Sequence, residues 1–368
     1  MIAWWSAFDA TEWLIIGFVV TFALWLALSA LVVVNRVWYD RHGRRRRERR
    51  GLPHLLRDAA SSRRGKWRRI SALVALAPAR PPEFHDLLAR AACDRDDDVA
   101  GTAVMLLQRL GDRRAAEILV DALRTASYSA SRIATQLDLF PQPIDDLLLP
   151  LLDDPSPRAR YWGASLLARY RGVRDLAPAL LGAVNDVDPR VRKAAIATLT
   201  ELDAALAADA GRARLGDSIG FVRAAAIRAV GTVAVNGDAR ARRAAARLIA
   251  PSLADASWDA RLAAKESLVQ LGADVWPEVA PSLDSTDAFA RNSAAEVLQN
   301  LGLVDRVIDD VGRGMDPGTE LLGVVERAFR AGGPRLIDAA AARTDQQRFP
   351  TVDTLLTTLR FVGVNPPA

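Results

Sequence analysis

The sequence has few of the residues on which catalysis and metal binding most often depend. Its 368 residues include one cysteine, Cys93, and three histidines. HxxxH, CxxC and HExxH spacings are absent, as are the GxxxxGK[ST], GxGxxG and GxSxG motifs. A lone cysteine excludes an internal disulfide and agrees with a reducing compartment. We therefore expect no catalytic residue, no cofactor and no metal site, and we expect Cys93 to be an ordinary buried small residue.

Charge is missing from residues 13–34, which read WLIIGFVVTFALWLALSALVVV. Twenty-two residues in a helix span about 33 Å, enough to cross the hydrocarbon core of a bilayer. The pattern predicts a transmembrane helix at 13–34, preceded by an extracytoplasmic N-terminus at 1–12. A cleaved signal peptide fits less well, because no basic residue precedes the apolar run and strong positive charge follows it.

Basic residues are absent from positions 1–12 and concentrated at 36–69, where fourteen Lys and Arg face three Asp and Glu. Basic flanks stay on the cytoplasmic side, so we expect a single-pass plasma (inner) membrane protein with its N-terminus outside and its C-terminal domain in the cytoplasm. Residues 35–65 are predicted to form a basic juxtamembrane linker. Its arginine block serves as a topology signal in one interpretation and contacts membrane lipid in another. The residues of this membrane-surface block are Arg44, Arg45, Arg46, Arg47, Arg49 and Arg50.

Beyond residue 66 an apolar pattern at i, i+4, i+8 and i+11 repeats along the chain. The copies begin at 99, 129, 159, 191, 222, 260, 290, 321 and 351, a period of 30 to 38 residues. This spacing predicts stacked helical pairs, an all-α fold in which each pair buries its apolar face against its neighbours. The second position of the pattern is small in the clearest copies, which favours close helix packing. These positions are Ala103, Gly163, Ala195, Ala226, Ala264 and Ala294.

Asp at the turn between paired helices precedes Arg by six residues in four copies, and Ser285 precedes Arg291 as a partial match. In this respect the chain resembles the HEAT repeats, including bacterial HEAT-like repeats. The resemblance implies a right-handed α-α superhelix of about nine to ten repeats at 66–368. It also implies a ladder in which Asp and Arg of adjacent repeats pair, weakening toward both ends. The expected ladder residues are Asp154, Arg160, Asp186, Arg192, Asp217, Arg223, Asp255, Arg261 and Arg291.

Several other features allow two interpretations each. Asp94 and Asp96 to Asp98 could bind a cation, but they suit a turn and a helix N-terminus better. Trp162, Trp258 and Trp276 either fill gaps between repeats or line a groove. The basic segment 236–250 is either a longer first helix or a projection that contacts a partner. Pro150, Pro251 and Pro281 are predicted to bend the first helices of their pairs.

We expect a scaffold that binds a protein partner, such as a membrane enzyme or an envelope assembly, on the cytoplasmic face of the membrane. The scaffold is expected not to be an enzyme. One alternative is a HEAT-like enzyme of the lyase or DNA glycosylase type, and another is a lipid-responsive sensor that acts through the basic block. Residues 70–368 carry a net charge of −4, which argues against a nucleic-acid partner.

Overall fold

The computed structural model describes residues 51–125, 128–172 and 176–343, and the regular structure in these ranges is helical throughout. Eighteen α-helices, α1 to α18 in chain order, are present there, and the described ranges contain no β-strand. Their bounds are Leu52–Ala60, Lys66–Leu76, Phe84–Ala92, Asp97–Leu110, Arg113–Thr125, Ala130–Asp138, Asp145–Leu148, Pro157–Leu166, Leu176–Ala183, Pro189–Leu202, Ala204–Arg214, Gly220–Val235, Ala239–Ile249, Trp258–Leu271, Trp276–Val279, Ala288–Asn300, Leu303–Gly312 and Thr319–Arg343. Short 3-10 helices lie at Leu149–Asp153, Leu167–Arg169, Ala250–Ala254, Ala273–Val275 and Ala280–Asp284.

The chain divides into two compact units, with the boundary between Ile133 and Ala134, inside α6. In the first unit α1 packs against α2, α3 against α4, and α5 against both α3 and α4. Helix α1 lies in the segment that the sequence assigned to a linker, so within the described residues the first helical pair already includes Leu52–Ala60. Asp58 of this helix is 2% exposed and accepts a hydrogen bond from Arg68 Nε at 2.8 Å, which secures the pair.

The second unit repeats the same arrangement in two layers. The second helices of its pairs, α8, α10, α12, α14, α16 and α18, contact one another in sequence, and the first helices form the other layer. The contacts among the described residues thus define six helical pairs in the second unit and two in the first, α1 with α2 and α3 with α4, in agreement with the predicted all-α fold. The right-handed sense of the predicted superhelix stays a prediction, and the copy predicted at 351 lies outside the described residues.

The small residues at the second position of the repeat lie at the helix contacts. Ala103, Ala195, Ala226, Ala264 and Ala294 are each 0% exposed. At Gly163 a Cβ atom would lie 2.7 Å from Leu151 Cβ and 3.3 Å from the carbonyl oxygen of Leu148. The prediction that small side chains permit close approach of the first helix is therefore confirmed.

The first helices change their hydrogen-bond geometry at the three prolines predicted to bend them, and the bend itself stays a prediction. At Pro150, Pro251 and Pro281 the first helix changes from α to 3-10 geometry one residue before the proline. Proline lacks an amide hydrogen and its ring crowds the preceding turn, so it disturbs the α-helical pattern at that point.

The predicted plasma-membrane location is corrected by the structure. Across the described residues no helix is both long enough and apolar enough to cross a bilayer. The longest, α18, has 25 residues, but it carries Glu320, Glu326, Arg327 and Arg330 within its first half, a charge density that a lipid-embedded helix does not tolerate. The proposed span at 13–34 and the arginine block at 44–50 lie outside the described residues.

Candidate functional site

Three bidentate ion pairs connect successive turns of the second unit. Arg160 donates from Nε and Nη2 to the carboxylate of Asp186 at 2.6 and 3.0 Å. Arg192 does the same to Asp217 at 2.8 and 2.8 Å. The next pair is Arg223 with Asp255, at 2.7 and 2.5 Å. Each arginine therefore reaches the turn of the following pair, as the resemblance to HEAT repeats implied.

Each ladder arginine also holds the turn before its own helix. The Nη1 atoms of Arg160, Arg192 and Arg223 donate to the carbonyl oxygen six residues earlier, at 2.8, 2.9 and 2.7 Å. The guanidinium group is thus fixed on one side by its own turn and on the other by the next turn. The spacing of six residues between Asp and Arg in the sequence reflects this bond to the Asp carbonyl.

The ladder carboxylates are also held by amides of their own turns. Asp217 Oδ1 accepts from the Ile219 amide at 3.0 Å, and Asp255 Oδ1 accepts from the Ser257 amide at 2.7 Å. Burial acts to raise the pKa of Asp217, but the hydrogen bonds from Arg192 and from the Ile219 amide outweigh it and place the pKa below its ordinary value. For Asp255 the bond from Arg223 is the strongest influence, and its pKa is lowered as well.

The first unit contains a further Arg–Asp ion pair, or rung, of the ladder that the sequence did not predict. Arg69 donates through both terminal nitrogens to the carboxylate of Asp94, and Arg69 is only 9% exposed. The copy beginning at 99 has no arginine after its own turn, so the search for Asp followed by Arg passed over it. Arg69 lies 25 residues before Asp94, and Arg192 lies 25 residues before Asp217. A search for Arg followed by Asp at this distance finds both rungs.

Among the described residues the last complete ion pair of the ladder joins Arg223 and Asp255, and Arg261 follows without a carboxylate. Its Nη1 atom keeps the bond to its own turn, 2.6 Å from the carbonyl oxygen of Asp255, but the following turn carries Ser285 where the earlier turns carry aspartate. The guanidinium carbon of Arg261 lies 5.0 Å from the centre of the Phe289 ring. Arg291 likewise bonds to its own turn, at 2.8 Å from the Ser285 carbonyl oxygen.

Beside the ladder, the layer of second helices contains an open groove of about 660 Å³. Its walls combine aromatic, small and charged side chains from four successive second helices and the 3-10 turn after the first of them. They are Tyr161, Ser165, Ala168, Arg190, Lys193, Ala194, Ala197, Thr198, Glu201, Phe221 and Asp259. The groove volume is in the range of small-molecule and peptide side-chain pockets.

The charged side chains of the groove differ in whether they already form ion pairs. Arg190 forms an ion pair with Asp188 at 2.7 Å, and Glu201 pairs with Arg171. Lys193 Nζ lies 5.8 Å from the centre of the Phe221 ring and forms no ion pair within the described residues. A cation above an aromatic ring, open to solvent, can attract a carboxylate while the ring provides apolar contact.

The three tryptophans singled out by the sequence have different environments. Trp162 is partly buried and makes an edge contact with Tyr161, with ring centres 4.9 Å apart. Trp276 packs against the core of the second unit. Trp258, at the start of α14, is 64% exposed. Packing therefore accounts for two of them, and Trp258 remains on the surface.

The acidic cluster near residue 94 has a structural role. Asp94 belongs to the rung with Arg69, Asp96 accepts hydrogen bonds from the amides of Asp98 and Val99, and Lys66 pairs with Asp98 at 2.6 Å. Within the described residues no cluster of His, Cys, Asp and Glu could hold a metal ion.

Cys93 is exposed rather than buried, so the expectation for this residue was wrong. It follows the last residue of α3, where the chain turns toward Asp94. The buried face of that helix is supplied by other residues, among them Leu88 and Ala92, both 0% exposed.

The basic segment at 236–250 forms helix α13, the first helix of its pair. Its arginines contact the next pair: Arg242 pairs with Asp274, and Arg247 pairs with Glu278 at 3.0 Å. The segment therefore packs within the stack, and the interpretation as a projection is not supported.

Comparison with known proteins agrees with this geometry. Residues 145–231 match the family model of HEAT repeats. The match covers the first two complete rungs of the ladder and the beginning of the third. Helical pairs outside the matched HEAT residues have the same two-layer organisation, which extends the similarity in fold along the described chain.

Two solved structures show a related fold. The structure of the Kap95:Nup1 complex superposes with a TM-score of 0.52 at 11% identity, covering 85% of this chain and 51% of that chain. The crystal structure of Kap121p bound to Pho4p gives 0.50 at 12% identity, covering 86% and 40%. This chain thus spans about half the length of the first protein and less of the second. No curated protein sequence matches the chain.

Proposed function

We propose that this chain is a binding scaffold that receives an extended segment of a partner protein on the layer of its second helices, and that its role is binding rather than catalysis. The groove between Tyr161, Lys193 and Phe221 is the observation that carries the proposal. A second open groove in the same layer, between α14 and α16, is smaller, about 310 Å³, and its walls contain no aromatic side chain, whereas this groove combines aromatic and charged groups.

The related folds support the same role. One is the Kap95:Nup1 complex and the other is Kap121p bound to Pho4p. Each contains a protein of related fold together with a second protein. Stacked helical pairs present extended surfaces that suit such binding.

The groove itself indicates which chemistry it accepts. Tyr161 and Phe221 offer apolar contact in the same groove as Lys193, and Ala197 contributes a small side chain to its wall. A segment with an apolar side chain next to an acidic one would place the first against the rings and the second near Lys193 Nζ. The neighbouring Arg190 and Glu201 already hold carboxylate and guanidinium partners.

Selection from a random 12-residue peptide library on the folded chain tests the proposal. Peptides enriched on the natural chain should lose binding to the Ala197→Arg variant, because the long side chain fills the groove from an exposed position. Ala244→Arg, an exposed alanine of α13 in the other layer, is the matched control and should retain binding. Equal loss in both variants, or no difference between Ala197→Arg and the natural chain, would contradict the groove as the binding site.

A further inference from the structure

The turn at Ser285 has the geometry of a ladder turn but lacks the carboxylate. Ser285 lies six residues before Arg291, and its carbonyl oxygen accepts from Arg291 Nη1 at 2.8 Å, as the earlier turns do. Its hydroxyl accepts from the amide of Asp287 at 3.2 Å, the bond that aspartate oxygens make in the other turns. Only the group that would receive the arginine of the preceding pair is missing.

Arg261 is nevertheless held as a ladder arginine. Its Nη1 donates to the carbonyl oxygens of Asp255 and Ala256 at 2.6 and 3.2 Å. In the complete rungs the remaining Nε and Nη2 donors hold a carboxylate at 2.5 to 3.0 Å. In the part of the chain that the structure describes, no carboxylate forms an ion pair with Arg261. The Nε and Nη2 donors of Arg261 are therefore free and already positioned for a carboxylate that the described residues do not supply.

The surroundings of this edge favour a partner rather than solvent. Phe289, whose ring lies 5.0 Å from the Arg261 guanidinium carbon, is 64% exposed. Trp258, three residues before Arg261 on the same helix, is also 64% exposed. Asp287, the acidic residue of the turn, accepts from the Phe289 amide at 2.7 Å and thereby caps α16. Two exposed aromatic rings next to an oriented guanidinium group are typical of binding hot spots.

We propose that Arg261 binds a side-chain carboxylate, from Asp or Glu, of the partner segment, which completes the ladder in trans between Phe289 and Trp258. This site deepens the proposed scaffold function and rests on it for the identity of the ligand as a protein segment. Asp259 of the groove and Arg261 both belong to the first turn of α14, but side chains two positions apart on a helix point to different sides, so the groove and the Arg261 site are tested separately.

Substitution of Ser285 separates this role from a purely structural one. Ser285→Asp supplies the missing carboxylate from the chain itself, so the rung closes and the donor edge of Arg261 is occupied. Ser285→Asn has nearly the same size without the charge and should leave the edge available. The two variants therefore differ in one property, the negative charge next to Arg261.

The direct test uses arginine side-chain NMR with N-acetyl-aspartate N-methylamide as the probe. The Nε–H signal that disappears in Arg261→Lys should shift saturably in the natural chain and in Ser285→Asn. The aspartate probe should not shift the signal in Ser285→Asp. The corresponding asparagine amide probe should not shift it in the natural chain. An unmoved signal, an equal response to the asparagine probe, or an unchanged response in Ser285→Asp overturns the site.

Peptides selected on the natural chain provide the second arm. Replacing their acidic residue by its amide, or the receptor by Ser285→Asp, should weaken binding about tenfold or more, the effect expected for a lost hydrogen-bonded charge pair. Peptides that depend on the groove at Ala197 but bind Ser285→Asp unchanged would refute the Arg261 site alone. Peptides indifferent to Ala197→Arg, together with a positive NMR titration, would refute the groove and leave the Arg261 site standing.

Discussion

At the residue scale, a few buried charged side chains affect the stability of the fold more than the many exposed ones. The chain has 49 basic and 44 acidic residues, and many of the ion pairs lie on the surface, where screening by water leaves each with little effect on stability. The pair of Arg192 and Asp217 differs, because their side chains are 11% and 2% exposed. Removing one partner would leave the other charged and buried, which is costly.

Arg192→Met is expected to destabilise the chain by about 2–3 kcal/mol, because the buried carboxylate of Asp217 loses both short guanidinium donors and keeps only the longer pair with Arg214, at 3.8 Å, and the Ile219 amide. Arg190→Met on the same helix is the matched control, because the Arg190 side chain is 65% exposed, and it should change stability by about 0.5 kcal/mol or less. Urea unfolding followed by circular dichroism measures both. Adding Asp217→Asn to Arg192→Met removes the buried charge and keeps an oxygen for the Ile219 amide, so it should recover part of the loss; further destabilisation in the double variant would contradict the buried charge as the cause.

Substitution of two helical glycines by alanine should change the stability of the chain in opposite directions. Gly163→Ala places a Cβ 2.7 Å from Leu151 Cβ, so we expect a loss of about 1–3 kcal/mol from overpacking. Gly182 in α9 has no atom within 4 Å of an added Cβ, so Gly182→Ala should stabilise by about 0.5–1 kcal/mol through helix propensity. Thermal unfolding of the two variants side by side gives the signs, and unchanged or increased stability in Gly163→Ala would be inconsistent with close packing at Gly163.

At the element scale, capping fixes where the helices begin. Asp96, Asp188, Asp203, Asp238 and Asp287 each accept a hydrogen bond from an amide in the first turn of the following helix. Ladder aspartates such as Asp186 and Asp255 precede the helix by more residues and use their carboxylates differently. Two aspartates in one turn, such as Asp186 and Asp188, therefore have different roles. One caps the helix, and the other forms an ion pair with an arginine of the preceding helical pair.

Asp238 provides an isolated test of capping. Its carboxylate accepts from the Ala241 amide at 2.8 Å, and the side chain lies on the surface. Asp238→Ala should destabilise by about 1 kcal/mol, whereas Asp238→Ser should keep most of the cap. Hydrogen exchange of the first-turn amides of α13 should accelerate in the alanine variant, and unchanged exchange at Ala241 would show that this bond does not protect the helix start.

At the scale of the whole molecule, the ladder connects stability to pH. The pKa values of Asp186, Asp217 and Asp255 all lie below the ordinary value of 3.8. Folding therefore favours their charged form, and their stabilising contribution is present above the unfolded pKa and lost as the pH falls through the lower folded values. The three residues lie in the second unit, and Asp94, whose pKa is also lowered, lies in the first.

The melting temperature should therefore stay nearly constant down to about pH 5 and then fall steeply toward pH 2. In Asp217→Asn the amide cannot be protonated in this range, so the variant should be less stable at pH 7 and lose less on acidification. Calorimetry of both chains from pH 7 to pH 2 measures the two slopes. Parallel curves would show that Asp217 does not contribute to the acid sensitivity.

The sequence by itself determined the helical pairs and much of the ladder. Apolar side chains every three or four residues specify a helix face regardless of what it packs against, and a period near 31 residues specifies repetition. The six-residue spacing from Asp to Arg is local, so the sequence displayed it, although the bond from each ladder arginine to the Asp carbonyl that accounts for the spacing appeared only in the structure. The small residue at Gly163 could be read for the same reason, because the repeat places it on the contact face.

Only the tertiary structure decided which arginine forms an ion pair with the following turn at each end of the ladder. It also decided which groove between the second helices stays open. Arg69 reaches Asp94 and Arg261 lacks a carboxylate because each depends on the neighbouring pair, and a pattern within one repeat does not contain that information. The groove at Tyr161 and Phe221 arises from four helices distant in sequence. Its volume is set by how closely those helices stack, a property of packing that no single segment of the chain encodes.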